Sequence, residues 1–265
     1  KPSTRNYLYE WFFMKILQHE GLISHRNKFI NTTVNGDNLG VYYFEEMYSD
    51  KLIEYNKRRI GPIIGLDKEL WIKEANNLKN LGANNLTDSF WRSKVKPIQF
   101  KKYKYGTEQE IYLKNAISLF ENFRDGKLNI NDVFDVNQLA KLMAIKAIFG
   151  SVEFDWRDIK FYYNPITSLL EPIGREVHTA ETFDINTAWW LNNDYLKKIN
   201  SDQNHFLKLI FKDLNFYELF LSELNRMVNK NYLQKILENN SDDFNDFKKI
   251  LELNNPTKTV FSKIY

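Results

Sequence analysis

The run Trp156-Arg-Asp-Ile-Lys-Phe-Tyr-Tyr-Asn-Pro165, continued by Ile166-Thr-Ser168 and Leu169-Leu-Glu-Pro-Ile-Gly174, decides how this chain folds. Ile159–Tyr163 and Leu169–Ile173 are short apolar runs, and Asn164-Pro165 opens a turn between them, so the stretch predicts a β-hairpin. Just before it, the loop Gly150-Ser-Val-Glu153-Phe-Asp155-Trp156-Arg-Asp158 holds three carboxylates. Just after it, Gly174-Arg175-Glu176 supplies one more. A hairpin returns its two ends to one place. Glu153 or Asp155, Asp158 and Glu176 are therefore expected to converge on one cleft, within reach of one divalent ion. Taken alone, such carboxylates read equally as solvated loop residues or helix caps.

Working outward, Val136 to Phe149 has helical periodicity, with Leu139, Leu142, Met143 and Ile145 as its core face, Lys141 and Lys146 as its solvated minority, and Gly150 as its cap. Thr107 to Phe123 predicts another helix. Nearer the start, Lys28–Val34 and Leu39–Phe44 flank Asn35-Gly36, the strongest short signal for a second hairpin. Thr4 to Glu20 predicts a first helix, stopped at Gly21, and Glu45 to Lys57 a further one before Gly61-Pro62. Residues 60 to 106 predict short helices and loops. From Asp194 onward, helical patterns such as Phe206–Phe211, Phe216–Val228 and Tyr232–Leu237 alternate with Asn- and Asp-rich breaks, which predicts an all-helical region.

The 265 residues allow one large domain or two lobes sharing a core. Lys and Arg number 37 against 34 Asp and Glu, and this surplus of three is scattered, which argues against a nucleic-acid partner. Lys94-Val-Lys96 and Lys101-Lys102-Tyr103-Lys104-Tyr105 mix bases with aromatics as a single-stranded nucleic-acid platform would, but with no fold signature for one they read as a solvated loop or as a basic rim for a nucleotide or acidic substrate. Trp189-Trp190 reads as a core corner or as a stacking platform. Hydrophobic residues make up 43% of the chain, too many for disorder, and no apolar run has the ~18 residues of a membrane span. The absence of cysteine removes disulfides, thiolate metal sites and thiol nucleophiles. His19, His25, His178 and His205 lack the spacing of a metal pair. With Lys at position 1 and a helical pattern beginning at once, the chain reads as an excised piece of a longer one.

The order of helix, hairpin, helices, acidic loop, hairpin and helical region is the order of a protein kinase from its conserved N-lobe helix onward. Glu153 to Asp158 has the spacing of a kinase catalytic loop, in which one carboxylate accepts the substrate hydroxyl proton and an oxygen ligand five residues on holds Mg²⁺. The chain resembles the spore coat protein H (CotH) kinase-like family. The resemblance is carried by Thr4-Arg-Asn-Tyr-Leu-Tyr-Glu-Trp11, Val34-Asn-Gly36 through Gly40-Val-Tyr-Tyr-Phe-Glu-Glu46, Asn56-Lys-Arg-Arg-Ile-Gly-Pro-Ile-Ile64, and above all the Phe-Tyr-Tyr-Asn-Pro165 and Leu170-Glu-Pro-Ile-Gly174 pair.

That resemblance implies an α+β, atypical protein-kinase-like two-lobed fold. Residues 1–66 would be the remainder of an incomplete N-terminal lobe, and 67–265 a mainly helical C-terminal lobe. It implies ATP- and Mg²⁺-dependent phosphoryl transfer to a protein hydroxyl, with Glu153 or Asp155 catalytic and Asp158 and Glu176 on the metal. Glu10 would match the kinase helix glutamate that pairs with the nucleotide-phosphate lysine, and Glu45 or Glu46 would meet the adenine edge. It further implies a bacterial protein in an extracytoplasmic or cell-surface setting, with the phosphate-covering loop and the lysine lying upstream of Thr4. The family usually carries Asp after Pro-Ile and often His or Asp in the catalytic loop; here the longer Glu stands in both places. The competing expectation is a catalytically silent kinase-like scaffold or binding domain.

Overall fold

The computed structural model describes residues 7–80, 89–99, 103–151, 156–177 and 205–254. Both expected hairpins are present. In the first, β2 (Asn27–Val34) pairs antiparallel with β3 (Asp37–Glu45). Asn35 and Gly36 have φ of 53° and 91°, the two left-handed residues that a two-residue turn needs to match strand twist. A Cβ at Gly36 would touch nothing within 4 Å, so Gly36→Ala carries a conformational cost alone. We expect it to lower stability by about 1 kcal/mol in a urea melt.

In the second, β6 (Lys160–Asn164) pairs antiparallel with β7 (Leu169–Gly174), in register from Lys160↔Ile173 to Asn164↔Leu169. Asn164 builds the turn twice, accepting the Ile166 N–H on its side-chain oxygen (2.9 Å) and the Ser168 N–H on its carbonyl (2.8 Å).

This hairpin is the centre of a five-stranded sheet of order β1-β7-β6-β4-β5, in which β1 (Ile23–Ser24) runs parallel to β7 and the other neighbours are antiparallel. The strands β4 (Ile63–Leu66) and β5 (Val95–Pro97) correct the expectation of helices and loops alone between 60 and 106. All four residues of β4 are buried, and their strand state comes from pairing with Phe161 and Tyr162, about a hundred residues away. The helices α3 (Glu69–Asn80) and α4 (Ser89–Arg92) lie between these two strands, as expected.

The sheet is covered on both faces because side chains alternate along each strand. Ile64, Phe161, Tyr163 and Leu170 join the main core, together with α1 (Leu8–His19), α5 (Glu108–Arg124) and α7 (Val136–Ile148). Ile63, Tyr162 and Ile173 face the other way, onto Tyr48 and onto Leu52 and Ile53 of α2 (Asp50–Tyr55). The helix α2 is shorter than expected. Glu45 stays in β3 opposite Asn27, and Ser49 caps the helix by accepting the Leu52 N–H at 3.2 Å.

Between α5 and α7 lies the short α6 (Ile130–Val133). The C-terminal region is helical as predicted: α8 (His205–Phe211), α9 (Leu214–Met227), α10 (Lys230–Glu238) and α11 (Ser241–Asn254). Phe206 of α8 reaches the sheet by packing against Phe120, Phe134 and Phe161. The helix α9 packs on α7, and α11 covers the first hairpin through Phe247 against Phe29. No helix among the described residues is long and apolar enough to cross a membrane. Trp189 and Trp190 lie outside the described residues.

Candidate functional site

The register of the central hairpin fixes the site. Lys160↔Ile173 is the last pair at its open end, so Asp158 on entry and Arg175 and Glu176 on exit leave from the same end. The Ser24↔Gly174 pairing adds the root of the first hairpin, where Asn27 pairs with Glu45. Local sequence does the rest. A Cβ at Gly174 would lie 2.3 Å from Leu17 Cδ1, so α1 packs where a side chain would stand. A side chain directly after Pro172-Ile173 would have to displace the Leu17 side chain, and the first acid on the exit is Glu176.

Asp158 accepts from Lys68 Nζ at 2.5 Å, with its side chain about one-third exposed. Burial pushes its carboxyl up, and the Lys68 ammonium more than reverses this, leaving it below the ordinary aspartate value. Beside it, the Arg157 guanidinium stacks 4.1 Å over Trp71, and Lys160 Nζ donates to the carbonyls of Arg157 (2.9 Å) and Ile159 (3.3 Å). On the exit strand, Arg175 contacts Glu45 and Glu176, each at 3.4 Å, and lies over the ring of Tyr48. Burial pushes the Tyr48 hydroxyl up to about 12.

Glu46 turns away to Arg26, which grips it at 2.9 and 2.5 Å. Its backbone N–H donates to the Arg26 carbonyl, and its own carbonyl accepts from His25 Nδ1 at 2.7 Å. That bond places the proton on Nδ1, and burial holds the imidazole below its ordinary pKa.

Glu10, on α1, is fully buried and accepts the Val177 N–H at 2.9 Å. Lys146, on α7, corrects the expectation of a solvated lysine: it is 4% exposed and donates to the Glu176 carbonyl at 3.2 Å. Its spacing of three from Met143 and seven from Leu139 already placed it on the core face, which was the available signal. Gly150 caps α7 as expected, with φ 57° and paired bonds from Gly150 N–H to Ala147 and from Ser151 N–H to Lys146. Glu153 and Asp155 lie outside the described residues.

Mg²⁺ takes hard oxygen donors, which the carboxylates here match in kind. Among the described residues, no three His, Asp or Glu side chains come together as a metal group. Asp158 and Glu176 share one end of the hairpin, and each has a basic neighbour.

These features define a mixed α+β protein whose buried and half-buried ionic groups gather where its two hairpins open. The model of the family described as CotH kinase protein matches residues 4–256, nearly the whole chain, and the chain belongs to that family. A search of curated proteins finds no match.

Proposed function

We propose that this chain is an atypical kinase-like phosphotransferase, two-lobed with its division near residue 66, that moves the terminal phosphoryl group of ATP to a protein hydroxyl. Family membership supports kinase-like phosphotransfer. The single observation that carries the residue roles is the hairpin register, which sends Asp158 and Glu176 out of the same end of the sheet. In this reading Asp158 and Glu176 hold Mg²⁺, which when bound neutralises phosphate charge. Glu153 or Asp155 accepts the hydroxyl proton of the protein substrate, and Lys68 pairs with Asp158 until the metal displaces it. Glu45 or Glu46 meets the nucleotide edge; both backbone groups of Glu46 are used internally, its N–H by the Arg26 carbonyl and its carbonyl by His25, and would have to be released for that contact. A cell-surface setting belongs to the same proposal.

The second reading, a silent scaffold, is favoured by one observation: Asp158 and Glu176 already have cationic neighbours, Lys68 and Arg175. A transfer assay with terminally labelled ATP separates the two. We expect Asp158→Ala with Glu176→Ala to lower transfer by on the order of 100-fold or more. Lys68→Met breaks the same ion pair and keeps the carboxylate, so it should retain transfer. A parent protein that binds neither ATP nor Mn²⁺ would leave the scaffold reading standing.

A further inference from the structure

The carbonyl of Glu176 and the N–H of Val177 belong to one peptide unit. In a trans peptide these two groups point in opposite directions. Lys146 Nζ donates to that carbonyl at 3.2 Å, and Glu10 Oε2 accepts from that N–H at 2.9 Å. Two buried ionisable side chains from two helices, 1% and 4% exposed, therefore grip one peptide plane from opposite sides. Burying ionisable groups is costly, and hydrophobic residues of similar volume would pack α1 and α7 against the sheet without that cost.

The residue leading into the gripped peptide is in an unusual state. Glu176 has φ 45°, a left-handed conformation that disfavours a residue with a Cβ. Strain of this kind persists where the surroundings over-determine it, and it clusters at functional sites. Relaxation of Glu176 to ordinary extended backbone would turn its carboxylate toward another face, away from the hairpin end it shares with Asp158.

We infer that Glu10 and Lys146 are positioning residues that lock the Glu176–Val177 peptide and so fix the direction of the Glu176 carboxylate at the metal end of the site. The metal role rests on the phosphotransfer reading above; the lock itself does not. Glu10 thus acts through a backbone amide, in addition to any part it plays as the helix glutamate of a kinase.

The test uses the whole chain and two separate readouts. For the lock, amide hydrogen exchange at Val177 is followed in the parent, Glu10→Ala and Glu10→Gln. We expect about tenfold faster exchange in Glu10→Ala, with Tyr162 in β6 unchanged, and partial protection in Glu10→Gln, which keeps an acceptor oxygen. Independently of whether those variants fold well, Glu176→Gly should unfold with an equilibrium constant about fivefold smaller than Glu176→Ala, since only glycine takes positive φ freely. Equal stability of the Gly and Ala variants, or unchanged Val177 exchange, would overturn the lock.

For its role, calorimetric Mn²⁺ titration of Lys146→Met should show affinity about tenfold weaker, restored by Lys146→Arg. A loss that Lys146→Arg does not restore would make Lys146 merely structural. A parent that shows the exchange and Gly/Ala signatures but binds no Mn²⁺ would keep the lock and sink the phosphotransfer reading, so the two failures are distinguishable.

Discussion

Leu142→Asp is expected to leave no folded protein under conditions where the parent is fully native. Leu142 is 2% exposed on α7, which lies between β7 and α9. Removing a buried leucine side chain costs about 2–5 kcal/mol through lost transfer energy and the cavity left behind. Asp adds a carboxyl group with no partner in an apolar layer, which either stays charged at a further cost or takes up a proton at a strongly raised pKa. The sum reaches the range of about 5–15 kcal/mol that a whole domain has available. Leu142→Ala is the graded companion and should lose only the first contribution. Far-ultraviolet circular dichroism and a urea melt check both. A Leu142→Asp protein with native dichroism and a loss under about 1 kcal/mol would remove α7 from the core. Loss of α7 would also remove Lys146 and the Gly150 cap, and with them the entry to the acidic loop.

Local signals and long-range pairing divide what the sequence revealed. Asn35-Gly36 and Asn164-Pro165 specify their turns by their own backbone preferences, so both hairpins were legible, and the register of the second sends Asp158 and Glu176 out of the same end. Ile63–Leu66 carries no comparable signal. A four-residue apolar run has no resolvable period, and it is a strand because β5 and β6 flank it. Local sequence places Glu45 at a helix start, because nothing local shows that Asn27 pairs with it.

The ionic partners were the least legible part of the site. Lys68 meets Asp158 across 90 residues and Arg175 meets Glu45 across 130, and ordinary charged residues carry no mark of such a partner. Glu10 reads from sequence as a surface acid or a lysine partner. Its bond to the Val177 amide exists only because α1 packs against the exit of β7.

Glu20→Ala should destabilise the protein near pH 7 by about 2–3 kcal/mol and by almost nothing near pH 2. Glu20 ends α1, with its side chain 5% exposed. Its carboxylate receives both terminal nitrogens of Arg226 (3.0 and 2.7 Å), the Tyr232 hydroxyl (2.6 Å) and Lys141 Nζ (3.1 Å). These bonds tie α1 to α7, α9 and α10 at once. Burial pushes the Glu20 carboxyl up, and the bonds from Arg226, Tyr232 and Lys141 more than reverse it, bringing its pKa down to about 2. An unfolded glutamate titrates near about 4.3. A depressed folded pKa stabilises above the unfolded value, so the contribution is complete above about pH 4.5 and fades as pH falls toward about 2. At roughly 1.4 kcal/mol per unit the ceiling is about 3 kcal/mol, and it is lowered because Arg226, 43% exposed, is partly screened by water. Urea midpoints for the parent, Glu20→Ala and Glu20→Gln at about pH 7, about pH 4 and about pH 2.5 trace this curve. The parent should lose its advantage over both variants across that interval. A gap of constant size would mean that the Glu20 charge contributes nothing and that packing alone holds the end of α1 against α9.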